Sequence, residues 1–142
     1  MDNAIARRES ILTGSAWRIS QEKPMVTIDL FAKEGNYDEF AAGQTIFREG
    51  DPPTLMYVVV AGEVVLSVKD NEVERLGPGG VLGEMAMIDS APRSATAVAQ
   101  TYCQLVPLDH RRFTFLVQQT PSFAIQIMRV IADRLRRMDS RL

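Results

Sequence analysis

Turn signals interrupt the middle of the chain at close intervals: EGDPP at 49–53, AGE at 61–63, KDNE at 69–72 and GPGG at 77–80. Glycine, proline, aspartate and asparagine supply the backbone angles that reverse a chain, so the segments between them must be short. Those segments, TIFRE, LMYVVV, EVVLSVK, VERL, SATAVA and CQLVPL, are rich in β-branched and apolar residues. Short strands at regular spacing predict a mainly β, antiparallel sandwich or barrel. In EVVLSVK the residues Val64, Leu66 and Val68 share one face, and Glu63, Ser67 and Lys69 share the other, which names the inner face. Asp70-Asn71 tolerates tight-turn angles, so strands 62–69 and 72–76 are expected to form a hairpin.

After Leu108 the period changes from two to that of a helix. Asp109 is a plausible N-cap for a helix over 110–119, and Thr120-Pro121 reads as a second N-cap with proline in the first helical position. The last segment is then one long helix. On it Ala124, Met128, Ile131, Leu135, Met138 and Leu142 form a narrow seam at a/d spacing, while Phe123, Ile127 and Val130 lie beside its start. The helix is expected to begin packed on the domain and to end with a stripe that needs another partner. Arg129, Arg134, Arg136, Arg137 and Arg141 read as a solvated outer face.

With 142 residues, 46% of them hydrophobic, the chain suits one domain with a real core. Residues 1–27 read as an N-terminal extension, partly helical around 3–12, before a domain over 28–142; its β-roll spans about 38–108 and its C-terminal helices about 109–141. A net charge of −2 creates no global field for nucleic acid. No apolar run approaches the ~20 residues of a membrane helix, and Thr13, Gly14 and Ser15 break the stretch that follows Arg7-Arg8, so a cytoplasmic location is expected. Cys103 reads as a buried, inert thiol, and His110 as a surface residue at a helix start. One histidine cannot build the metal cluster that an enzyme on a double-sheet scaffold would need, and no paired carboxylates or nucleophile-base arrangement stands elsewhere, so no metal and no enzymatic activity are expected.

The chemistry concentrates in GEMAMIDSAPRSATA, residues 83–97, which sets a glutamate and an arginine among small and apolar residues. Val81-Leu82 followed by Gly83-Glu84 suggests a strand that turns directly into a short helix, and helix N-termini attract anions. Gly83 lets a ligand approach the backbone. Arg93 is placed to fold back over the same anion, its guanidinium offering two parallel hydrogen bonds, with the Ser94 hydroxyl beside it. Glu84 would repel a phosphate; as an acceptor it suits a ribose 2′-hydroxyl instead. The competing reading is a surface ion pair between Glu84 and Arg93, against which stand the small residues Gly83, Ala86, Ala91 and Ala95.

The string GPGGVLGEMAMIDSAPRSATAVA resembles the phosphate-binding cassette of the cyclic nucleotide-binding domain family, shared by the bacterial catabolite activator protein, protein kinase A regulatory subunits and cyclic-nucleotide-gated channels. The resemblance extends through AGQTIFREGDPPTLMYVVVAGEVVLSV and LVPLDHRRFTFLVQQTPSFAIQIMRVIADRLR, about residues 30–138 in all. It implies an antiparallel double-stranded β-helix, or jelly roll, with flanking helices including a long C-terminal one. It implies that Glu84 takes the ribose 2′-hydroxyl and Arg93 the cyclic phosphate. Backbone N–H groups around Met85 and Ala86, with Ser94 and Ala95, would complete the cradle; Gly83 would keep the approach clear, and Leu66, Leu82 and Val64 would wall the pocket. Ser94 stands where cyclic-GMP-preferring relatives often carry threonine, so the resemblance points to cyclic AMP ahead of cyclic GMP.

Two departures from the family pattern follow. Only IDLFAKEG, 28–35, remains for the family's opening helical segment. No helix-turn-helix follows the long helix and no channel span precedes the domain, so output is expected to pass through an effector protein or a homodimer. Ligand entry in the family repositions the C-terminal helix, with Met87 the expected relay. The seam of Met128, Ile131, Leu135 and Met138 serves either as a lid over the purine or as a dimer contact. The alternative function is a protein-interaction module that keeps the fold and lacks nucleotide affinity.

Overall fold

The computed structural model describes residues 24–26, 31 and 36–140. Residues 1–23 and 27 of the expected N-terminal extension, nearly all of IDLFAKEG, and the seam's last residue Leu142 lie outside the described residues, as does Arg141; of the extension's described residues Val26 is buried in the core, its N–H donating to the Gly79 carbonyl at 2.9 Å. Among the described residues there are eight strands: β1 (Asp38–Phe40), β2 (Thr45–Phe47), β3 (Met56–Ala61), β4 (Val64–Val68), β5 (Asn71–Leu76), β6 (Val81–Leu82), β7 (Thr96–Ala99) and β8 (Cys103–Leu108). A 3-10 helix (Glu84–Met87) separates β6 from β7, and two helices, α1 (His110–Gln119) and α2 (Pro121–Ser140), close the chain. The strands form two antiparallel four-stranded sheets, in the orders β1-β8-β3-β6 and β2-β7-β4-β5. This is the jelly roll with flanking helices.

The first sheet is the middle layer of three, and its side-chain alternation shows why. Met56 and Val58 of β3, with Val106 and Leu108 of β8 and Val81 of β6, join a cluster with Phe123, Ile127 and Val130 of α2. Their neighbours Tyr57, Val59, Cys103, Leu105 and Leu82 point the other way, into a cluster with Val64, Leu66, Ala97 and Ala99 of the second sheet. A strand buried on both faces needs a continuous apolar run, which is what MYVVV and LVPL supply. The second sheet faces the core on one side only, so β4 alternates.

Turn chemistry sets the register. Val68 pairs with Asn71, so the two-residue loop of the β4–β5 hairpin is Lys69-Asp70, one position before the expected Asp70-Asn71. Both loop residues have positive φ, 51° and 67°, as a primed hairpin turn requires. The Lys69 N–H is held by Glu49 at 2.7 Å, and the Asn71 amide donates to the Lys69 carbonyl at 3.2 Å, which steadies the shifted turn. Between β3 and β4 only glycine fits: Gly62 has φ 95°, and a Cβ there would lie 2.2 Å from the Tyr102 carbonyl oxygen. Strand β1 had no sequence signal because Asp38 and Glu39 are poor strand formers. Its backbone pairing with β8 decides the conformation, and Glu39 accepts a hydrogen bond from the Tyr102 hydroxyl at 2.7 Å.

Asp109 caps α1 as expected, its Oδ1 accepting from the Arg112 N–H at 2.8 Å, and α2 begins at Pro121. The start of α2 is its anchor. Phe123 is fully buried, with its ring edge-on to Phe31 at 6.0 Å and to Phe113 at 5.8 Å, while Met128 is 55% exposed. Phe123→Ala is therefore expected to destabilise the domain by about 3–5 kcal/mol in urea denaturation. Met128→Ala should change stability by less than about 0.5 kcal/mol. Equal effects at the two positions would contradict this packing.

Candidate functional site

Arg93 is gripped from behind by the loop between β2 and β3. Its N–H donates to the Asp51 carbonyl and its own carbonyl accepts from the Gly50 N–H, both at 2.9 Å. The guanidinium donates through Nη2 to the Leu55 carbonyl at 2.7 Å and lies over the Phe47 ring, 4.1 Å from its centre. Phe47 is in turn stacked on Tyr57. These contacts orient the charge without neutralising it. Nε is buried with no hydrogen-bond partner among the described residues, and no described carboxylate forms an ion pair with the group. Burial pulls the Arg93 pKa below its usual value, against the opposing fields of Tyr57, Asp51 and Glu84. A desolvated cation left this way is costly, and an anion would relieve the cost.

Gly83 is where the backbone must come close. It sits in the left-handed region with φ 74°, between β6 and the 3-10 helix. A Cβ there would stand 2.6 Å from Arg93 Nη1 and 3.0 Å from the Leu55 carbonyl oxygen. Glycine thus serves the turn and the seat of the arginine at once.

Glu84 opens the 3-10 helix and is only 5% exposed, which removes the reading of Glu84 and Arg93 as a surface pair. Its partner is Arg134 of α2. Arg134 Nη1 donates to Glu84 Oε1, Nη2 to the Val81 carbonyl, and Nε to Glu74 Oε1 of β5 at 3.0 Å. Arg137, one turn on, donates to the other Glu74 oxygen at 3.3 Å and to Asp133 at 2.9 Å. Burial lowers the Arg134 pKa, but the Glu84 and Glu74 carboxylates outweigh it and hold the group above its usual value. Arg134 and Arg137 are therefore not part of a solvated face. Their polarity hid them, because only the fold brings β5 and the 3-10 helix beneath this side of α2.

A cavity of about 450 Å³ opens between the second sheet, the 3-10 helix and α2. The sequence-selected residues Leu66, Gly83, Glu84, Met85, Ala86, Arg93, Ser94 and Ala95 all line it, and Ile131, Leu135 and Met138 cover it from α2. Three expectations need correction. Val64 and Leu82 do not line the cavity; both are fully buried in the inter-sheet core. Of the two uses expected of Met128, a lid over the cavity is the one it does not meet, because it is 55% exposed on α2 and does not line the cavity. The Ala86 N–H is not spare for an anion, since it donates to the Gly83 carbonyl at 3.1 Å to close the 3-10 turn. Sequence reasoning missed Glu74, Arg134 and Arg137, along with Phe47 beneath the guanidinium.

The remaining candidates lie apart from the cavity. Met87 is buried in the helix-facing cluster with Phe123, Ile127 and Val130, so the 3-10 helix and α2 share packing. Cys103 is fully buried, and burial raises its thiol pKa. His110 is exposed at the start of α1. Among the described residues no group of three or more histidines, cysteines or acids is placed to hold a metal ion, and no helix is long and apolar enough to cross a membrane.

Comparison with known proteins gives the arrangement its context. Residues 37–120 match the family model described as the cyclic nucleotide-binding domain. The chain is 29% identical over 109 residues to the CRP-like cAMP-activated global transcriptional regulator of Mycobacterium tuberculosis, an alignment covering 73% of this chain and 49% of that protein. The alignments cover from 16% to 62% of the curated relatives' own length, and about half of the Mycobacterium tuberculosis regulator. Among solved structures, the catabolite activator protein of Thermus thermophilus superposes with a TM-score of 0.65 at 28% identity, over 80% of this chain and 60% of that one. A chain described with a cyclic-GMP-dependent signalling pathway of bacterial phytopathogenesis superposes with a TM-score of 0.69 at 34% identity, over 81% of this chain and 98% of that one. With the cassette, the jelly roll and the matched residues in agreement, the chain belongs to the cyclic nucleotide-binding domain family.

Proposed function

We propose that the cavity binds a cyclic nucleotide, cyclic AMP ahead of cyclic GMP, and that the chain is a non-catalytic regulatory domain of the cytoplasm. The observation that carries this reading is Arg93: a buried guanidinium, fixed by Leu55 and Phe47, with Nε unpartnered and no described carboxylate paired to it. A cyclic phosphate carries one negative charge and two outward oxygens, which match the remaining hydrogens of the guanidinium. Ser94 and Ala95 flank that position, and Glu84 receives the ribose 2′-hydroxyl. Leu66 supports the sugar and base, while Ile131, Leu135 and Met138 of α2 form the lid over the purine. The preference for cyclic AMP rests on Ser94, which offers a guanine a smaller, less fixed hydroxyl than a threonine would.

Ligand entry changes the equilibrium of α2 only through contacts that differ between its two positions. The lid residues and the packing of Met87 against Phe123 and Ile127 supply such contacts. The outer side of α2 leaves Ile125 and Met128 45% and 55% exposed, an apolar patch that continues onto the half-exposed lid residues Leu135 and Met138 and suits an effector protein or a second copy of the chain. The same patch supports the alternative reading, an interaction module without nucleotide affinity.

Isothermal titration separates the two readings. Cyclic AMP is expected to bind at micromolar affinity or tighter and cyclic GMP more weakly, and Arg93→Ala is expected to weaken binding by about 100-fold or more. Absence of heat with either nucleotide would favour the interaction module. Gly83→Ala forces a side chain into the left-handed region and against Nη1. It is expected to cost about 1–2 kcal/mol in stability and to weaken nucleotide binding by roughly tenfold or more. Light scattering after size exclusion, with and without cyclic AMP, tests the second copy; a monomer under both conditions removes the homodimer.

A further inference from the structure

Resting on the nucleotide reading above, we infer that Phe47 is a positioning residue: its ring holds the Arg93 guanidinium at the cavity before any ligand arrives, with Tyr57 and Phe40 as the stack that fixes the ring. Arg93 is buried without an ion-pair partner among the described residues, and yet it stays inside. A long cationic side chain in that position regains hydration by swinging out to water, so something must keep it in. The hydrogen bond from Nη2 to the Leu55 carbonyl is one hold, but a single neutral acceptor leaves the charge itself uncompensated. The Phe47 ring supplies the other. Its centre lies 4.1 Å from the guanidinium carbon, and the negative face of an aromatic ring attracts a cation most strongly where water is excluded.

The local structure of β2 aims that ring. Thr45 pairs with Val98 and Phe47 with Ala97, so β2 carries one residue more than β7 between those pairs, a bulge immediately before Phe47. A bulge bends its strand and re-aims a side chain. The Phe47 ring then stacks on Tyr57 of β3, 25° from parallel with centres 6.5 Å apart, and Tyr57 meets Phe40 of β1 edge-on at 6.2 Å. Phe47 and Tyr57 are both buried, so three rings drawn from both sheets end in one fixed face beside Arg93. The segment that follows the ring binds the arginine's backbone through Gly50 and Asp51. One stretch, TIFREGD at 45–51, thereby holds Arg93 at its root and at its tip.

A carboxylate in place of the ring could not do this work. The ring stabilises the charge without accepting a hydrogen bond from it, so the guanidinium hydrogens that Leu55 does not use stay available to a cyclic phosphate. A glutamate there would pair with Arg93 and compete with the ligand. Loss of the ring therefore acts through the free protein: the fraction of molecules with Arg93 in place falls, and the apparent affinity falls by that fraction.

The test titrates cyclic AMP into the wild-type chain, Phe47→Leu, Phe47→Tyr, and chains carrying mono-, di- or trifluorinated phenylalanine at position 47. Fluorine withdraws charge from the ring face and leaves its shape nearly unchanged, so a purely packing role does not move that series. Affinity is expected to fall stepwise with each added fluorine and by about tenfold in Phe47→Leu, while Phe47→Tyr, which keeps a ring, recovers most of that loss. Nitrogen NMR of the ligand-free protein reads the same hold without a nucleotide. The Arg93 Nε–H is expected to be ring-shifted and slow to exchange in the wild type and fast to exchange in Phe47→Leu. If Phe47→Leu does not fold, judged by circular dichroism, the fluorinated series carries both measurements. Affinity that stays flat across the fluorinated series overturns the positioning role and leaves the nucleotide reading intact. A wild-type chain that binds no cyclic AMP, yet keeps a protected Nε–H that loosens with fluorination, overturns the nucleotide reading and supports the hold of Phe47 on Arg93; failure of both measurements overturns both.

Discussion

A buried guanidinium without a counter-anion among the described residues is the constraint around which the rest of the site is arranged. Arg93 is desolvated against Phe47, tied to the Leu55 carbonyl and left with an unpartnered Nε. Removing an arginine from water in this way costs several kcal/mol unless something repays it. The loop between β2 and β3 meets the cost of orientation in advance, through the backbone bonds at Gly50 and Asp51. Gly83 exists in its left-handed conformation beside Nη1 because any larger residue would displace the same charge. Preorganisation of this kind directs the gain on binding toward an anion of fixed geometry.

The second charge system solves the opposite problem. Glu84 is a buried carboxylate on the cavity wall, and it is compensated from α2 by Arg134, which also satisfies Glu74. The two arginines thus divide the cavity: Arg93 awaits a negative group, and Arg134 neutralises negative groups already present. The lid helix is consequently held at both ends by different forces. Its start is bound by apolar packing of Phe123, Ile127 and Val130, its later turns by the ion pairs over the cavity. Hydrophobic packing is insensitive to a polar ligand, whereas ion pairs are not, so under the proposed function α2 is expected to hinge on its first turns.

Much of this was legible in the sequence because it rests on local chemistry. The turn residues delimited the strands, the doubly buried runs of β3 and β8 stood out as continuous apolar stretches, and Asp109 and Pro121 marked the helix starts. Gly83, Glu84 and Arg93 were identifiable because charges among small residues need a reason. What stayed hidden depends on long-range placement. Arg134 lies 50 residues from Glu84 and 60 from Glu74, and nothing in helical periodicity distinguishes it from the exposed Arg136 beside it. Val64 and Leu66 share one face of β4, yet only Leu66 reaches the cavity, because depth along a strand is set by the neighbouring sheet and not by alternation. The hairpin turn was misplaced by one residue for a similar reason: the hold of Glu49 on the Lys69 N–H comes from another strand's end.

The most direct test of the central claim is a crystal structure of the chain grown with cyclic AMP. The account predicts the cyclic phosphate within hydrogen-bond distance of the Arg93 guanidinium, with the bond from Nη2 to the Leu55 carbonyl retained and the ribose 2′-hydroxyl on Glu84. A nucleotide whose phosphate lies away from Arg93, or an Arg93 side chain swung out of the cavity in the complex, would contradict it.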